Sequence, residues 1–275
     1  MNQLNSVDHL SQLTADEKKK HKPLITNCYL FPNQIEELTD KGRLTYEIHD
    51  DGLILLCDMG YYYNLYYYIK PDKGISFPKR EKPVVVEFHD SELRHNKQND
   101  IMIPYWEEVG FKHNATVHRM VCEYTQESLD ELLDAHETEY EVITAKEPHF
   151  DRIFELLFEA FDPIENLFES KEDLRKSMED GDFLCIVDDN DQVMCALQTP
   201  IKNGEVNMHH VVVDKKHRGK NLSWHLRKSA TKKAWDQGIK KRVGWVVEGN
   251  EPGIISAKKV GLEFDGRYTV QYILK

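Results

Sequence analysis

Two adjacent histidines, His209 and His210, come just before a valine run and a basic turn that contains Gly219. Imidazole has an unperturbed pKa of about 6.5, so either side chain can accept a proton at neutral pH. In the turn, Arg218 and Lys220 flank the glycine, which brings positive charge and close backbone approach to one place. These residues predict proton transfer beside a bound anion. The alternatives are histidines that fill polar gaps in a sheet and a turn that is merely exposed surface.

The elements around these residues are a strand, a turn and a helix in that order, over residues 205–223. Apolar residues recur every four positions after the turn, which predicts a helix from about Asn221 to Gln237, ended by Gly238. The positive end of a helix and its free N–H groups form a site that suits phosphate. The sequence therefore predicts a binding site for an anionic cofactor at this turn.

Composition limits the kinds of partner. The chain has 275 residues, 40% hydrophobic and 31% charged, with a net charge of −12, which argues against general nucleic-acid binding. Its five cysteines include no C-x-x-C pair, so neither a disulfide framework nor a metal site is expected. No apolar run reaches the roughly 20 residues needed to span a bilayer, and residues 1–22 lack the apolar core of a signal peptide. We expect a cytoplasmic protein without membrane association.

The two halves of the chain share one pattern. Hairpins are predicted at 44–57 and 183–197, and a helix stopped by glycine precedes a final strand in each half, at Gly110 and Gly261. Only the second half carries the basic turn and its helix, because two prolines in the corresponding interval of the first half leave no room for a long helix. The tyrosine-rich run at 61–68 is interpreted as a strand that packs between the halves. Chance similarity is the alternative to a duplicated fold.

With these motifs in view, residues 139–275 resemble the GNAT superfamily, the Gcn5-related N-acetyltransferases. The family's cofactor turn, Q/R-x-x-G-x-G/A, corresponds to residues 216–221, in which Arg-Gly-Lys is intact while Lys216 and Asn221 depart from the pattern. Asn250 begins a second family motif that ends at Gly261. The tyrosine that commonly lies four residues before that glycine is replaced by Ala257. The first half resembles a degenerate copy without the turn and its helix.

The resemblance implies an α+β fold of three-layer type, a tandem GNAT-like acyl-CoA N-acyltransferase fold with a mixed, mostly antiparallel sheet flanked by helices. The implied domains are a degenerate domain (1–125), a linker (126–138) and the GNAT domain (139–275). The implied function is direct transfer of acetyl from acetyl-CoA to a primary amine of a small or amino-acid-like acceptor. The alternatives are longer acyl transfer to glycine or a similar acceptor, and a catalytically silent CoA-binding or scaffold module. A monomer or homodimer without a metal is expected.

The resemblance also assigns the site residues. His209 or His210 would take the proton of the amine, and Tyr268 could replace the missing tyrosine as the acid. The cofactor-binding residues that it implies are Val211, Val212, Val213, His217, Arg218, Gly219, Lys220, Asn221, Leu222, Ser223 and Asn250.

Overall fold

Strands and helices alternate along the chain in a computed structural model that describes residues 1–135 and 140–275. The chain divides into two compact units, one formed by Met1–Thr116 with Tyr268–Lys275 and the other by Val117–Arg267. Residues 136–138 of the expected linker, and residue 139 at the start of the predicted second domain, lie outside the described residues. Each unit is described below by itself.

The elements are numbered along the chain. The first part of the chain contains β1 (Asn2–Gln3), α1 (Val7–Lys20), β2 (Ile25–Thr26), α2 (Pro32–Asp40), β3 (Leu44–His49), β4 (Gly52–Asp58), β5 (Tyr63–Ile69), β6 (Val84–Ser91), α3 (Asn99–Val109) and β7 (Lys112–Glu123). The remainder contains α4 (Gln126–Asp134), β8 (Ile143–Thr144), α5 (Phe150–Ala160), α6 (Lys171–Glu179), β9 (Phe183–Val187), β10 (Val193–Gln198), β11 (Ile201–Lys202), β12 (Glu205–Met208), β13 (Val211–Val213), α7 (Leu222–Asp236), β14 (Lys241–Val247), α8 (Glu251–Lys258) and β15 (Glu263–Leu274).

The first unit is built on an antiparallel meander of β3, β4 and β5, to which β6 adds in parallel. One face of this sheet packs on Trp106 of α3, and the other packs on Leu10 of α1 and Ile35 of α2. The hairpin predicted at 44–57 is confirmed as β3–β4. No helix occurs between β5 and β6 in the described residues, as the prolines predict. Helix α1 was not predicted, because its apolar periodicity is weak and only Leu10 and Glu17 are buried.

The tyrosine-rich run forms β5, as predicted, but its side chains pack within the first unit. Tyr67 lies 5.5 Å from the Trp106 ring, centroid to centroid, on one face of the sheet. Tyr66 and Tyr68 belong to the cluster on the opposite face, with α1 and α2. Strand alternation therefore divides the tyrosines between the two hydrophobic cores of this unit.

The second unit contains the elements that carry the two histidines and the basic turn. The predicted hairpin is confirmed as β9–β10, and β13 pairs antiparallel with β10 in a sheet of order β13-β10-β9-β8. Strand β12 instead pairs in parallel with β14, which pairs antiparallel with the second-unit part of β7. Helix α7 buries Leu222, Leu226 and Ala230 in the main core of this unit, as the four-residue period predicts. The predicted mixed, mostly antiparallel fold flanked by helices is confirmed.

A half-buried carboxyl in the first unit makes its stability depend on pH. Glu87 lies on β6 between the core residues Val86 and Phe88, and Asn64 of β5 hydrogen-bonds its carboxyl. Burial raises the pKa of Glu87 to about 7, against the opposing effect of Asn64. The unfolded carboxyl keeps its usual pKa of about 4.3, so the folded state binds the extra proton between these values. Stability is therefore lost as the pH rises through about 7.

We expect Glu87→Gln to raise the free energy of unfolding by about 1–3 kcal/mol at pH 8 and to change it little at pH 4. The neutral amide keeps the shape of the protonated carboxyl and removes the buried charge. Denaturant unfolding at the two pH values measures the difference. Glu81→Gln, an exposed residue of the same unit, is the matched control and should have no effect. An equal gain at pH 4 and pH 8 would contradict the assignment.

Candidate acyl-transfer site

The strand that carries the histidines is interrupted by a β-bulge at His209 and His210. Both residues lie opposite Gln198 of β10, whose carbonyl accepts the His209 N–H at 3.0 Å and whose N–H donates to the His210 carbonyl at 3.1 Å. Two residues opposite one is the defining feature of a bulge, which redirects the side chains that follow it. Simple alternation therefore does not decide which histidine shares a face with the valine run.

The bulge also separates the strands on either side of it. Strand β12 stays beside β14 as far as Met208, which lies opposite Gly244. Beyond the bulge, β13 leaves β14 and, within the described residues, pairs only with β10. The two strands thus diverge from Met208 onward.

The divergence leaves one edge of β13 without a partner strand in the described part of the chain. Asp214 donates its N–H to the Met194 carbonyl at 2.9 Å, and Val212 lies opposite Ala196, so these alternate residues bond β10. In an antiparallel pair the backbone groups of the intervening residues point the other way. The N–H and C=O groups of Val211 and Val213 therefore face this open edge of β13, where an extended chain can bond them.

An ordered 3₁₀ turn, Lys215–His217, follows β13. The Asp214 carboxylate accepts the Lys216 N–H at 2.9 Å, and Arg152 of α5 donates to the same carboxylate at 2.6 Å. The Lys216 N–H and then Arg152 hold the pKa of Asp214 below its usual range. Neither Asp214 nor Arg152 was expected as a site residue from the sequence. An aspartate directly after a strand is a capping signal, whereas no spacing in the sequence links it to Arg152.

Two residues with positive φ shape the rest of the basic turn, residues 214–221. Gly219 has φ +81°, and a Cβ added there would meet no other atom within 4 Å. Asn221 has φ +58°, a conformation that asparagine tolerates better than most residues, and its side chain makes no capping bond to α7. The N-terminus of α7 therefore has no side-chain cap.

Consecutive backbone N–H groups are left available by this geometry. The His217 N–H donates to the Asp214 carbonyl at 2.8 Å, but the N–H groups of residues 218–223, which include Leu222 and Ser223, find no partner among the described residues. Arg218 and Lys220 are exposed on the same turn, and Lys220 Nζ lies 3.4 Å from His217 Nδ1. Unpaired N–H groups, a helix N-terminus and two cations are an arrangement that suits an anion by elementary electrostatics.

Both predicted proton acceptors, His209 and His210, are half-buried, and their imidazoles are neutral at pH 7. The His210 ring lies 4.4 Å from the Phe168 ring and 5.8 Å from the Phe161 ring, centroid to centroid. Burial, followed by the neighbouring His209, lowers the pKa of His210 to about 3. Burial and then the charge of Lys202 lower the pKa of His209 to about 4. At pH 7 each ring therefore has a free nitrogen lone pair.

Helix α8 follows β14 and is fixed to the first turn of α7. The Asn250 side chain caps α8 by accepting the Gly253 N–H at 3.1 Å, so Asn250 has a structural role there. Ala257 is 6% exposed. The preceding residue, Ser256, places its hydroxyl 3.3 Å from that of Ser223 in α7. No signal in the sequence indicates this contact, since the two serines are far apart in the chain.

Tyr268 lies in the first unit, unlike the histidines, the basic turn and α8, which lie in the second. Burial, together with the carboxylates Asp90 and Glu92, raises its pKa, so the phenol is protonated at neutral pH. Its role as an acid stays a prediction.

Neither a metal-ion site nor a membrane-spanning helix occurs in the described ranges. In residues 1–135 and 140–275 there is no group of His, Cys, Asp or Glu side chains arranged to hold a metal ion. Across the same residues, every helix is too short or too polar to cross a membrane.

The chain is similar to known proteins in both sequence pattern and fold. The family model described as Acetyltransferase (GNAT) family matches residues 150–261. A GCN5-related N-acetyltransferase from Sphaerobacter thermophilus superposes with a TM-score of 0.55 at 13% identity, over 96% of this chain and 91% of that one. A GNAT-family acetyltransferase from Colwellia psychrerythraea gives a TM-score of 0.52 at 13% identity, over 99% and 98%. No curated protein matches the sequence.

A tandem GNAT protein from the clavulanic acid biosynthesis pathway is also similar, with a TM-score of 0.54 at 13% identity, over 82% of this chain and 78% of that one. At this identity the structures establish the fold, and they confirm the predicted tandem GNAT-like class. The family model covers α5, β9, β10, the bulge, the basic turn, α7 and α8. Residues 150–261 therefore form a domain of the GNAT acetyltransferase family.

Proposed function

We propose that the second unit is an acyl-CoA-dependent N-acyltransferase that transfers acetyl from acetyl-CoA to a primary amine of a small acceptor. The observation that carries this proposal is the continuity of two binding features. The open edge of β13 leads directly into the basic turn, so one extended ligand can follow both. Such a ligand would have an amide-containing arm at one end and a diphosphate at the other, which is the chemistry of coenzyme A.

Each part of the ligand has a matching group. The diphosphate would accept the unpaired N–H groups of residues 218–223 and the charges of Arg218 and Lys220. The amide arm would bond the backbone of Val211 and Val213 in the manner of an added strand. An N–H of this edge would then be available to the thioester oxygen, where negative charge develops in the transition state.

The transfer itself needs one base and a leaving group that departs with little help from an acid. The acceptor ammonium first passes one N–H proton to the imidazole of His209, which leaves a lone pair on nitrogen. The amine nitrogen then attacks the thioester carbon, and the carbonyl electrons move onto oxygen. When the carbonyl re-forms, the C–S bond breaks, and the departing sulfur takes the electron pair and then the second N–H proton. A thiol has a pKa of about 8.5, so a thiolate departs near neutral pH with less need for an acid than an alkoxide has. Ala257 at the family's tyrosine position is compatible with this chemistry.

The test is release of free thiol from acetyl-CoA by the full-length protein in the presence of a panel of primary amines. We expect release that depends on both the amine and acetyl-CoA, with the matching N-acetyl product detected by mass spectrometry. Longer acyl-CoA donors with glycine as the acceptor test the alternative acyl transfer. Binding of acetyl-CoA without thiol release above background for any acceptor would instead support the silent module, for which Ala257 is the motivating observation.

A further inference from the structure

A buried amide joins the histidine bulge to a carboxylate that the mechanism above does not use. Gln198 is 1% exposed at the end of β10, and its backbone bonds both His209 and His210. Its side-chain Nε2 donates to Glu169 Oε2 at 3.2 Å and to Ser177 Oγ at 3.1 Å. The amide therefore fixes Glu169 relative to the two imidazoles.

The surrounding hydrogen bonds determine which way this amide points. Ser177 Oγ donates its single proton to the Asp182 carboxylate at 3.1 Å, so it can only accept from Gln198. The NH₂ group must then face Ser177 and Glu169, and Gln198 Oε1 is left without a partner among the described residues. A buried acceptor without a donor costs about 1–3 kcal/mol, which points to a donor supplied by a ligand or solvent.

Glu169 also lacks a close cation in the described part of the chain. Its side chain is 30% exposed, and the nearest cation is Lys202 Nζ at 4.0 Å, on a side chain that is 57% exposed. The charge of Lys202 also reaches His209, whose pKa it helps to lower. Lys202, Glu169 and the histidine bulge are therefore neighbours within the second unit. Phe168, the residue before Glu169, and the half-buried Phe161 make this side of His210 apolar.

We propose that Glu169 and Gln198 form the acceptor-recognition site, and that this site selects an acceptor which arrives as a primary ammonium ion on an apolar body. This inference rests on the proposed function, because it names the acceptor class for the same reaction. An ammonium group has three donors and no acceptor, which matches a carboxylate and an unpaired amide oxygen. Its positive charge replaces the loosely held Lys202 beside Glu169, and its apolar body lies against Phe161. Glu169 is a recognition residue and takes no proton in the reaction.

The experiment measures binding to the full-length protein by calorimetry, with hexylamine and 1-hexanol as probes that differ in the charged group. We expect wild type to bind hexylamine more tightly than 1-hexanol. Glu169→Gln should weaken hexylamine about 10- to 100-fold without affecting 1-hexanol, because it removes one charge-assisted bond. Lys202→Gln should tighten hexylamine binding, since it removes the competing cation. Glu179→Gln, exposed at the end of α6, is the matched control and should bind both probes as wild type does.

Failure to bind hexylamine in wild type, or equal affinity in wild type and Glu169→Gln, would overturn the inference. A Glu169→Gln variant that loses both probes equally would do the same, because the loss would then be structural. If Glu169→Gln does not fold, the hexylamine affinity of Lys202→Gln is the test of the site. An affinity equal to or weaker than that of wild type counts against the site. No acetyl-CoA is present, so the outcome is independent of thiol release. If acetyl transfer occurs but Glu169→Gln leaves hexylamine affinity unchanged, only the acceptor site is refuted. If hexylamine binds through Glu169 but no acetyl transfer occurs, only the proposed function is refuted.

Discussion

Replacing Gly219 by glutamate is expected to weaken acetyl-CoA binding by about 100-fold or more. The new side chain starts in open space on the basic turn, where the diphosphate is proposed to bind. A carboxylate about 5 Å from one phosphate charge, at an effective dielectric constant of about 20, costs about 3 kcal/mol. Equilibrium titration with acetyl-CoA measures the loss. Retained affinity would refute the assignment of the diphosphate to this turn.

The same helix provides a matched control. Gly238 follows the C-terminal end of α7 with φ +78°, against +81° for Gly219, and a Cβ added there also meets no atom within 4 Å. Gly238→Glu therefore has the same backbone strain and the same added charge, and it should bind acetyl-CoA as wild type does. Gly219→Ala separates strain from charge, and we expect it to lose much less affinity than the glutamate variant. Equal losses for the two glutamate variants would mean that the effect is global.

Local signals made the basic turn and helix α7 predictable. The apolar period of α7, the glycine after its end and the charges on the turn are all encoded within a few residues. The predicted helix, 221–237, differs from the observed Leu222–Asp236 by one residue at each end. His217 was predicted as a cofactor-binding residue, but its backbone N–H closes the 3₁₀ turn on Asp214. The sequence is enough to locate the turn, whereas the structure is needed to show which of its backbone N–H groups are paired and which are open.

The contacts of the proposed acceptor site could not be predicted, because they depend on pairing between distant segments. The bulge arises from the register of β10 against β13, and the link from Glu169 to Gln198 joins a loop to a strand. No periodicity encodes either contact. Tyr268 shows the same limit on a larger scale. Its sequence position places it in the second half, yet Tyr268–Lys275, which includes the last part of β15, belongs to the first unit.

His209→Ala is expected to lower turnover about 10²- to 10⁴-fold while leaving acetyl-CoA affinity nearly unchanged, which is the usual range for loss of a general base. Burial holds the imidazole neutral, so wild type should show no inflection from this group near pH 6.5. The deficit should shrink as the pH rises through the pKa of the amine, because a deprotonated amine no longer needs a base. Rates of thiol release against pH, with acetyl-CoA titrations beside them, measure both effects.

The neighbouring histidine is the control for this assignment. His210 packs against Phe161 and Phe168, so His210→Phe preserves an aromatic ring in that position while it removes the lone pair. We expect this variant to keep most of the turnover. If His210→Phe loses turnover and His209→Ala keeps it, the base is His210 and the bulge has exchanged their roles. If His209→Ala also loses acetyl-CoA affinity, with a deficit that does not vary with pH, His209 supports the strand instead of accepting the proton.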